Sequence, residues 1–364
     1  MIRVLFLTRY PVEGASSRYR VFQYLAHLKG LGVQADVQSF MDTPMYRLSL
    51  TRGLTGAKIA ATLKATVRRL WALRKWYRYD ALYLQRELLP FGGTVVERWL
   101  KRRGAVLLFD YDDALFIKKP SRYNWIATAL RSSDKTLALF RLVDCVVAGN
   151  SWLRDAATAA GAARAVTLEV AEDTGRIPMH APHSNHRPIT IGWLGSPSTV
   201  KYLRVIEPVL QGISQRYPQV RWEIMGGNDF QMDGVDWRIS EWSMNGELEA
   251  LARFDIGLMP LPYEDWARGK SGGKARTYMA AGVVPVVSAI GFNSELIRHG
   301  ETGFLCQTPQ DWDRALSQAV EDADLRQRVA IAARAEVEKR FDPAGIAAEM
   351  ARLLRGVIDD ARER

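Results

Sequence analysis

Short, unbroken apolar runs recur along this chain, and they come in two successive series. In the first, "RVLFLT", "ALYLQ", "AVLLFD", "CVVAG" and "AVTLEV" alternate with stretches of helical pattern. Around residues 174–188, "TGRIPMHAPHSNHRP", the pattern fails in a segment rich in Pro, His and small polar residues. It restarts with "ITIGWLG", "VRWEIMGG", "DIGLMPLP" and "VVPVVS". Strands that are apolar at every position are covered on both faces, and helices between them are the crossovers of a parallel sheet. The expected class is α/β, with two doubly wound, Rossmann-like domains at residues 1–186 and 187–364 joined by the polar break. Two such domains back to back leave a cleft between the carboxyl ends of their strands, where open α/β sheets bind ligands.

Charge separates the two halves. Residues 1–187 carry a formal +14, whereas residues 188–364 carry −4. Such asymmetry suggests that the first half faces something anionic, a membrane leaflet or a nucleic acid. No run approaches the ~20 apolar residues of a membrane span, and the apolar start Met1–Thr8 is too short for a signal peptide. Cys145 and Cys306 match no metal or disulfide spacing and read as buried thiols of a reducing cytoplasm. His180, His183 and His186 fall in the break without a Cys or paired carboxylate, so linker polarity explains them better than a metal does.

The segment "DIGLMPLPYEDWARGKSGGKARTYMAAG" places Gly269, Gly272 and Gly273, with Arg268, Lys270 and Lys274, between a strand and a helix. Helix N-termini present unpaired N–H groups and a positive dipole end, and glycines let the backbone approach an anion. Gly269-Lys270-Ser271 matches the end of a nucleotide-hydrolase P-loop, but Glu264 stands where that motif needs its first glycine. A flexible surface loop is the plain alternative.

In the first half, "LFDYDD" ends a strand with Asp110, Asp112 and Asp113, which are expected to point into the cleft and could orient or deprotonate a hydroxyl. Capping of the next turn is the structural alternative. Arg86 and Glu87 lie at a neighbouring strand end. Residues 58–79 carry Lys58, Lys64, Arg68, Arg69, Arg74, Lys75 and Arg78 without an acid, and Ile59, Leu63, Val67 and Leu70 share one helical face. With Trp71 and Trp76 beside them, this reads as a helix lying on an anionic bilayer, against the alternatives of a packed helix with a solvated basic face and a nucleic-acid groove. No nucleic-acid motif supports the last.

With both halves in view, the chain resembles the GT-B glycosyltransferases, and more closely the retaining bacterial "group 1" branch. "IGWLGSPSTVKYL", the Gly-Lys segment through "VVPVVS", and "GFNSELIRHGETGFL" look like second-domain signatures in the expected order. "TRYPVEGASSRYRVFQYL", "ALYLQRE" and "LFDYDDALF" look like first-domain marks of a polysaccharide-assembly subgroup. The resemblance implies a nucleotide-sugar donor on the second domain, an acceptor on the first, and a C-terminal helix, 341–364, returning to the first domain. It places Lys201 and Lys274 on the donor diphosphate, with close backbone contact from Gly195, Ser196, Gly272 and Gly273. Trp242 is a stacking candidate for the base, and Glu295 either caps a helix or touches the donor. Gly14, Ser17 and Arg18 occupy the first strand–helix loop, where the family closes on substrate. The family's two glutamates eight apart are missing here: Gly269 and Thr277 hold those positions. Thr277 can still hydrogen-bond, so altered donor handling is expected.

Asp110-Tyr111-Asp112 is also the D-x-D of the GT-A fold, which lacks a second phosphate loop. The implied reaction is retaining transfer without metal or other cofactor, the diphosphate leaving toward Lys201, Lys274 and the helix dipole. The resulting expectation is a cytoplasmic enzyme, peripheral on the inner membrane face, that extends a lipid-linked glycan for a surface polysaccharide and binds no nucleic acid. The rivals are a sugar-nucleotide epimerase of the same fold and a non-catalytic scaffold.

Overall fold

A computed structural model describes residues 1–51, 53–117, 133–179, 188–227 and 230–364. The three histidines of the polar break, His180, His183 and His186, lie outside the described residues.

The chain forms two compact units, one of Met1–Ala171 with Pro343–Arg364, the other of Glu172–Asp342. The division therefore falls at 171/172, ahead of the polar break and not at 186/187. Residues 172–177 already belong to the second core: Glu172 donates its N–H to the Phe341 carbonyl at 2.9 Å, and Ile177 is buried with Ala280, Val337 and Phe341. Arg334 fastens this stretch by donating to the carbonyls of Thr174 (2.9 Å) and Ile177 (2.7 Å). The last helix, Pro343–Arg362, counts with the first unit, where Ile346, Met350, Leu354 and Ile358 join the core around Val4, Phe6 and Tyr24.

The first unit holds β1 (Ile2–Thr8), β2 (Val33–Ser39), β3 (Ala81–Gln85), β4 (Leu107–Tyr111), β5 (Cys145–Ala148) and β6 (Ala165–Thr167) in the order β2-β1-β3-β4-β5-β6. The second holds β7 (Thr190–Leu194), β8 (Arg221–Met225), β9 (Trp237–Ser240), β10 (Ile256–Met259), β11 (Val284–Ser288) and β12 (Phe304–Cys306) in the order β12-β11-β10-β7-β8-β9. All strand pairs are parallel. β3, β4, β5, β7, β10 and β11 are buried at every residue, as their unbroken apolar runs require. The edges were harder to read. β2 ("VQADVQS") and β9 ("WRIS") interleave polar residues because one face of each meets solvent, and the expected strand "AVTLEV" pairs only over Ala165–Thr167.

Helices follow local signals. Pro208 sits in the first turn of Glu207–Arg216, so the run after β7 splits into a 3-10 turn, Val200–Ile206, and an α-helix. Asp322 accepts from the Leu325 N–H and caps a new start, dividing residues 309–340 into the helices Pro309–Glu321 and Ala323–Arg340.

Each sheet has one place where the chain reverses its direction of winding, between β1 and β3 in the first and between β7 and β10 in the second. Loops leaving such neighbouring strands part to opposite faces and open a crevice at the carboxyl ends. In the second unit the parting is visible in the hydrogen bonds. β7 and β10 pair only at Ile191/Ile256 and Gly192/Gly257. Beyond that point Tyr278 fills the gap, its hydroxyl accepting from the Leu194 N–H (3.1 Å) and donating to the Leu258 carbonyl (3.2 Å). Tyr278 lies in the helix Gly273–Ala281, so this bridge seats that helix over the crevice.

Candidate active site

The second unit's crevice is lined with cations and open amides. The helix Gly273–Ala281 starts at Gly272, whose φ of 64° is the left-handed conformation that glycine adopts without strain. No side chain caps this start and no acid lies in its first turn, so its leading N–H groups are available to an anion. Lys274, in that first turn, passes beside Gly195 at the end of β7. A Cβ on Gly195 would sit 2.7 Å from the Lys274 Cε and 2.7 Å from the Trp193 ring. The glycine is thus what lets the lysine stem reach the crevice.

The Lys274 ammonium lies 5.2 Å from the Trp193 ring centroid and has no carboxylate partner among the described residues. Desolvation, with Lys270 nearby, lowers its pKa to about 8. Lys270 Nζ rests 4.0 Å over the Trp266 ring, Trp266 packs on Tyr202 at 5.9 Å, and Lys201 Nζ lies 5.5 Å from Tyr202. This aromatic pair links Lys201 and Lys270 into one basic rim with Lys274. Sequence reasoning passed over Tyr202 and Trp266; an aromatic directly after or shortly before each lysine was the available signal.

Ser196 shares a hydrogen bond with Ser198 (2.8 Å) and takes part in the turn after β7. Trp242 flanks the same strand ends: the Cβ that Gly226 lacks would fall 2.0 Å from the Gly195 carbonyl and 3.2 Å from the Trp242 Cβ. Its indole N–H donates to Glu247 at 2.6 Å while the ring stays 43 % exposed, free to stack. Other residues sit differently. Arg268 is exposed, 3.7 Å from Asp265 in the short helix Asp265–Arg268. Gly269 is the C-cap of that helix. Glu295 is exposed in the helix Phe292–Leu296, and the cap of that helix is Gly291. Thr277 is buried and donates to Glu172 at 3.1 Å.

The first unit's crevice is organised around Arg86, the residue after β3, which holds φ = 66°. Its guanidinium donates to Asp113 (2.7 Å) and Asp112 (3.3 Å) and lies 5.9 Å over the Tyr10 ring. Ser16 donates to Asp112 (2.7 Å), Gln85 to Ser16 (3.0 Å), and Ser17 to Gln85 (2.8 Å). Gly14 makes the tight turn possible, since a Cβ there would lie 2.3 Å from that of Tyr10. Arg18 is half-buried, 5.1 Å over Tyr19, and Glu87 accepts from Thr136 at 3.5 Å.

Asp110 is a correction. It still belongs to β4 and points into the covering layer, fully buried, where it binds Arg20 through Nε at 3.0 and 3.1 Å. Burial raises its pKa and Arg20 opposes the rise. It is a structural pair and does not converge with Asp112 and Asp113, so the D-x-D spacing gathers no common site.

The helix Thr55–Ala72 turns its apolar stripe outward. Ile59, Leu63, Val67 and Trp71 are each more than half exposed, while Ala65 and Arg69 face inward. Arg69 is therefore not a surface cation: it is 1 % exposed and donates to the Thr8 carbonyl at 2.6 Å. Its burial, with Arg9 and Arg68 nearby, lowers its pKa to about 9. Arg68 also turns to the body, pairing with Asp42 at 2.8 Å. Lys64, Arg74 and Lys75 remain exposed, Lys58 and Trp76 partly so. No described helix is long and apolar enough to cross a membrane. Cys145 and Cys306 are free and buried, and burial pushes both thiols up to about 12.

Residues 188–323 match the family model "Glycosyl transferases group 1". No curated protein matches the sequence. Among solved structures, Anabaena HepE, determined with UDP and glucose, has a TM-score of 0.69 at 16 % identity, covering 98 % of this chain and 100 % of its own. The sucrose-phosphate synthase of Thermosynechococcus elongatus has 0.69 at 15 %, covering 99 % and 100 %. A glycosyltransferase from Rickettsia africae has 0.68 at 13 %, covering 98 % of each chain. The fold is GT-B, and the match to the glycosyl transferases group 1 model lies within its second unit, over residues 188–323.

Proposed function

We propose that this protein is a retaining glycosyltransferase that takes a sugar from a nucleotide-sugar donor and passes it to a lipid-linked glycan, in surface polysaccharide assembly on the cytoplasmic face of a membrane. The observation that carries the reading is Lys274: a desolvated ammonium with no carboxylate partner among the described residues, at the mouth of an uncapped helix, in the crevice where the sheet reverses. Such a place is completed by an anion. The HepE structure solved with UDP-glucose shares this fold and supports a sugar nucleotide as that anion.

In this reading Lys274, Lys201 and the amides of Gly272 and Gly273 take up charge as the diphosphate departs, so electrostatic stabilisation of the leaving group carries the rate. Trp242 stacks on the base. The acceptor hydroxyl attacks from the face the diphosphate leaves, giving its proton to a phosphate oxygen. Asp112, Asp113 and Arg86 orient that acceptor, and EDTA leaves the reaction intact. The outward apolar stripe of the helix Thr55–Ala72, edged by Lys64, Arg74 and Lys75, supports docking on an anionic bilayer, which would bring a lipid-linked acceptor within reach.

The test is nucleoside diphosphate release from a panel of sugar nucleotides, with and without anionic vesicles carrying polyprenyl-linked saccharides. Release with one donor, and labelled sugar moving into lipid, support the proposal. A converted sugar nucleotide without release points to an epimerase, and no turnover of any donor to a scaffold.

A further inference from the structure

No side chain caps the helix behind the anion loop to orient the peptide Ser271–Gly272. A buried pair deeper in the unit does so instead. Arg276, 2 % exposed, donates from Nη1 to the Ser271 carbonyl at 2.9 Å. A trans peptide points its C=O and N–H in opposite directions, so holding the Ser271 oxygen inward aims the Gly272 N–H outward, at the helix mouth. Arg276 is held in turn by Glu172, whose Oε2 lies 3.4 Å from its Nε and accepts from Thr277 Oγ1 at 3.1 Å. The backbone N–H of Glu172 donates to the Phe341 carbonyl at 2.9 Å, and the Phe341 ring lies 5.3 Å from the Arg276 guanidinium.

We propose that Glu172 and Arg276 are positioning residues for the anion loop: they set the peptide Ser271–Gly272, and so the affinity of the site for a diphosphate, from a carboxylate one hundred residues earlier in the chain. The inference rests on the reading of that loop as a diphosphate site. The carboxylate beside Thr277 comes from the first residue of the second unit and not from the helix itself. A pair kept only for stability could be replaced by apolar residues at little cost. This one ends on a carbonyl of the loop that receives the ligand.

The experiment is calorimetric titration of inorganic pyrophosphate, and of the nucleoside diphosphate the wild type prefers, into wild type, Glu172→Gln and Arg276→Lys, with hydrogen exchange of the unliganded proteins. Both variants keep the volume of the side chain. Affinity should fall in both variants, and in Arg276→Lys by roughly tenfold to a hundredfold, the range for a lost hydrogen bond to a charged group. Amides 272–275 should exchange faster while β7, β10 and β11 stay protected. If Glu172→Gln does not fold, Thr277→Val removes only the hydroxyl contact and should loosen binding about threefold, less than the other two variants because the hydroxyl reaches the loop only through Glu172. Unchanged affinity and unchanged exchange in folded variants overturn the inference alone, as does a lowered melting temperature with wild-type affinity. A wild type that binds neither pyrophosphate nor any nucleoside diphosphate overturns the reading beneath it as well.

Discussion

The two units place a crevice at the same topological position and fill it in opposite ways. At the end of β3, Arg86 is balanced by two carboxylates and a hydroxyl network runs on through Ser16, Gln85 and Ser17. At the ends of β7 and β10, lysines gather around glycines and open amides, and Lys274 has no counter-charge among the described residues. A charge-balanced polar crevice suits a ligand that offers hydroxyls. A charge-starved one suits an anion. In the sugar transfer proposed above, one topology would serve both halves, with side-chain electrostatics deciding which half each unit takes.

The sharpest way to break this comparison is on the first unit's structural side. Asp110→Ala leaves Arg20 buried and uncompensated, which should cost about 3–5 kcal/mol, read as a large drop in denaturation midpoint. A stable but inactive Asp110→Ala protein would return Asp110 to the catalytic set.

Next in size is Lys274→Ala. It should weaken nucleoside diphosphate binding by about 2 kcal/mol, roughly thirtyfold by titration, while leaving the unliganded fold at least as stable as wild type. A loss of fold stability instead would show that the lysine serves packing.

The pH dependence follows from the same residue. Its pKa is lowered to about 8, so between that value and the ordinary 10.5 the unfolded chain binds a proton that the folded chain has released. Unliganded stability should therefore rise with pH through this window in wild type relative to Lys274→Met. Diphosphate affinity should run the other way, falling above about pH 8, up to tenfold per pH unit. Parallel pH curves for wild type and Lys274→Met would contradict the assignment.

The smallest effect concerns the outer helix. Lys64→Gln or Arg74→Gln should each cost about 1 kcal/mol of binding to anionic vesicles in flotation, with no change on neutral ones. Equal loss on both kinds of vesicle would remove the electrostatic part of the docking.

Much of this was legible in the chain. The unbroken apolar runs announce central parallel strands because burial on both faces leaves no room for alternation. The Gly-Lys loop marks a glycine-rich, basic helix start, and the structure leaves that start uncapped with Lys274 passing beside Gly195. What escaped was tertiary. Asp110 reads like its neighbours Asp112 and Asp113, and only the end of β4 between them sends it into the interior. Arg69 reads like Arg68, but faces Thr8 and Phe40. The unit boundary falls just after the strand-like run that precedes the polar break, and Glu172 carries no local mark of its reach to Arg276 and Thr277.

The most direct test of the central claim is a thermal-shift panel of nucleoside diphosphates and their sugars on wild type and Lys274→Ala. Ligand that binds only the folded state raises the melting temperature. The account predicts a rise with the diphosphates of one base, lost in Lys274→Ala; an equal rise in both proteins, or none with any of them, would contradict it.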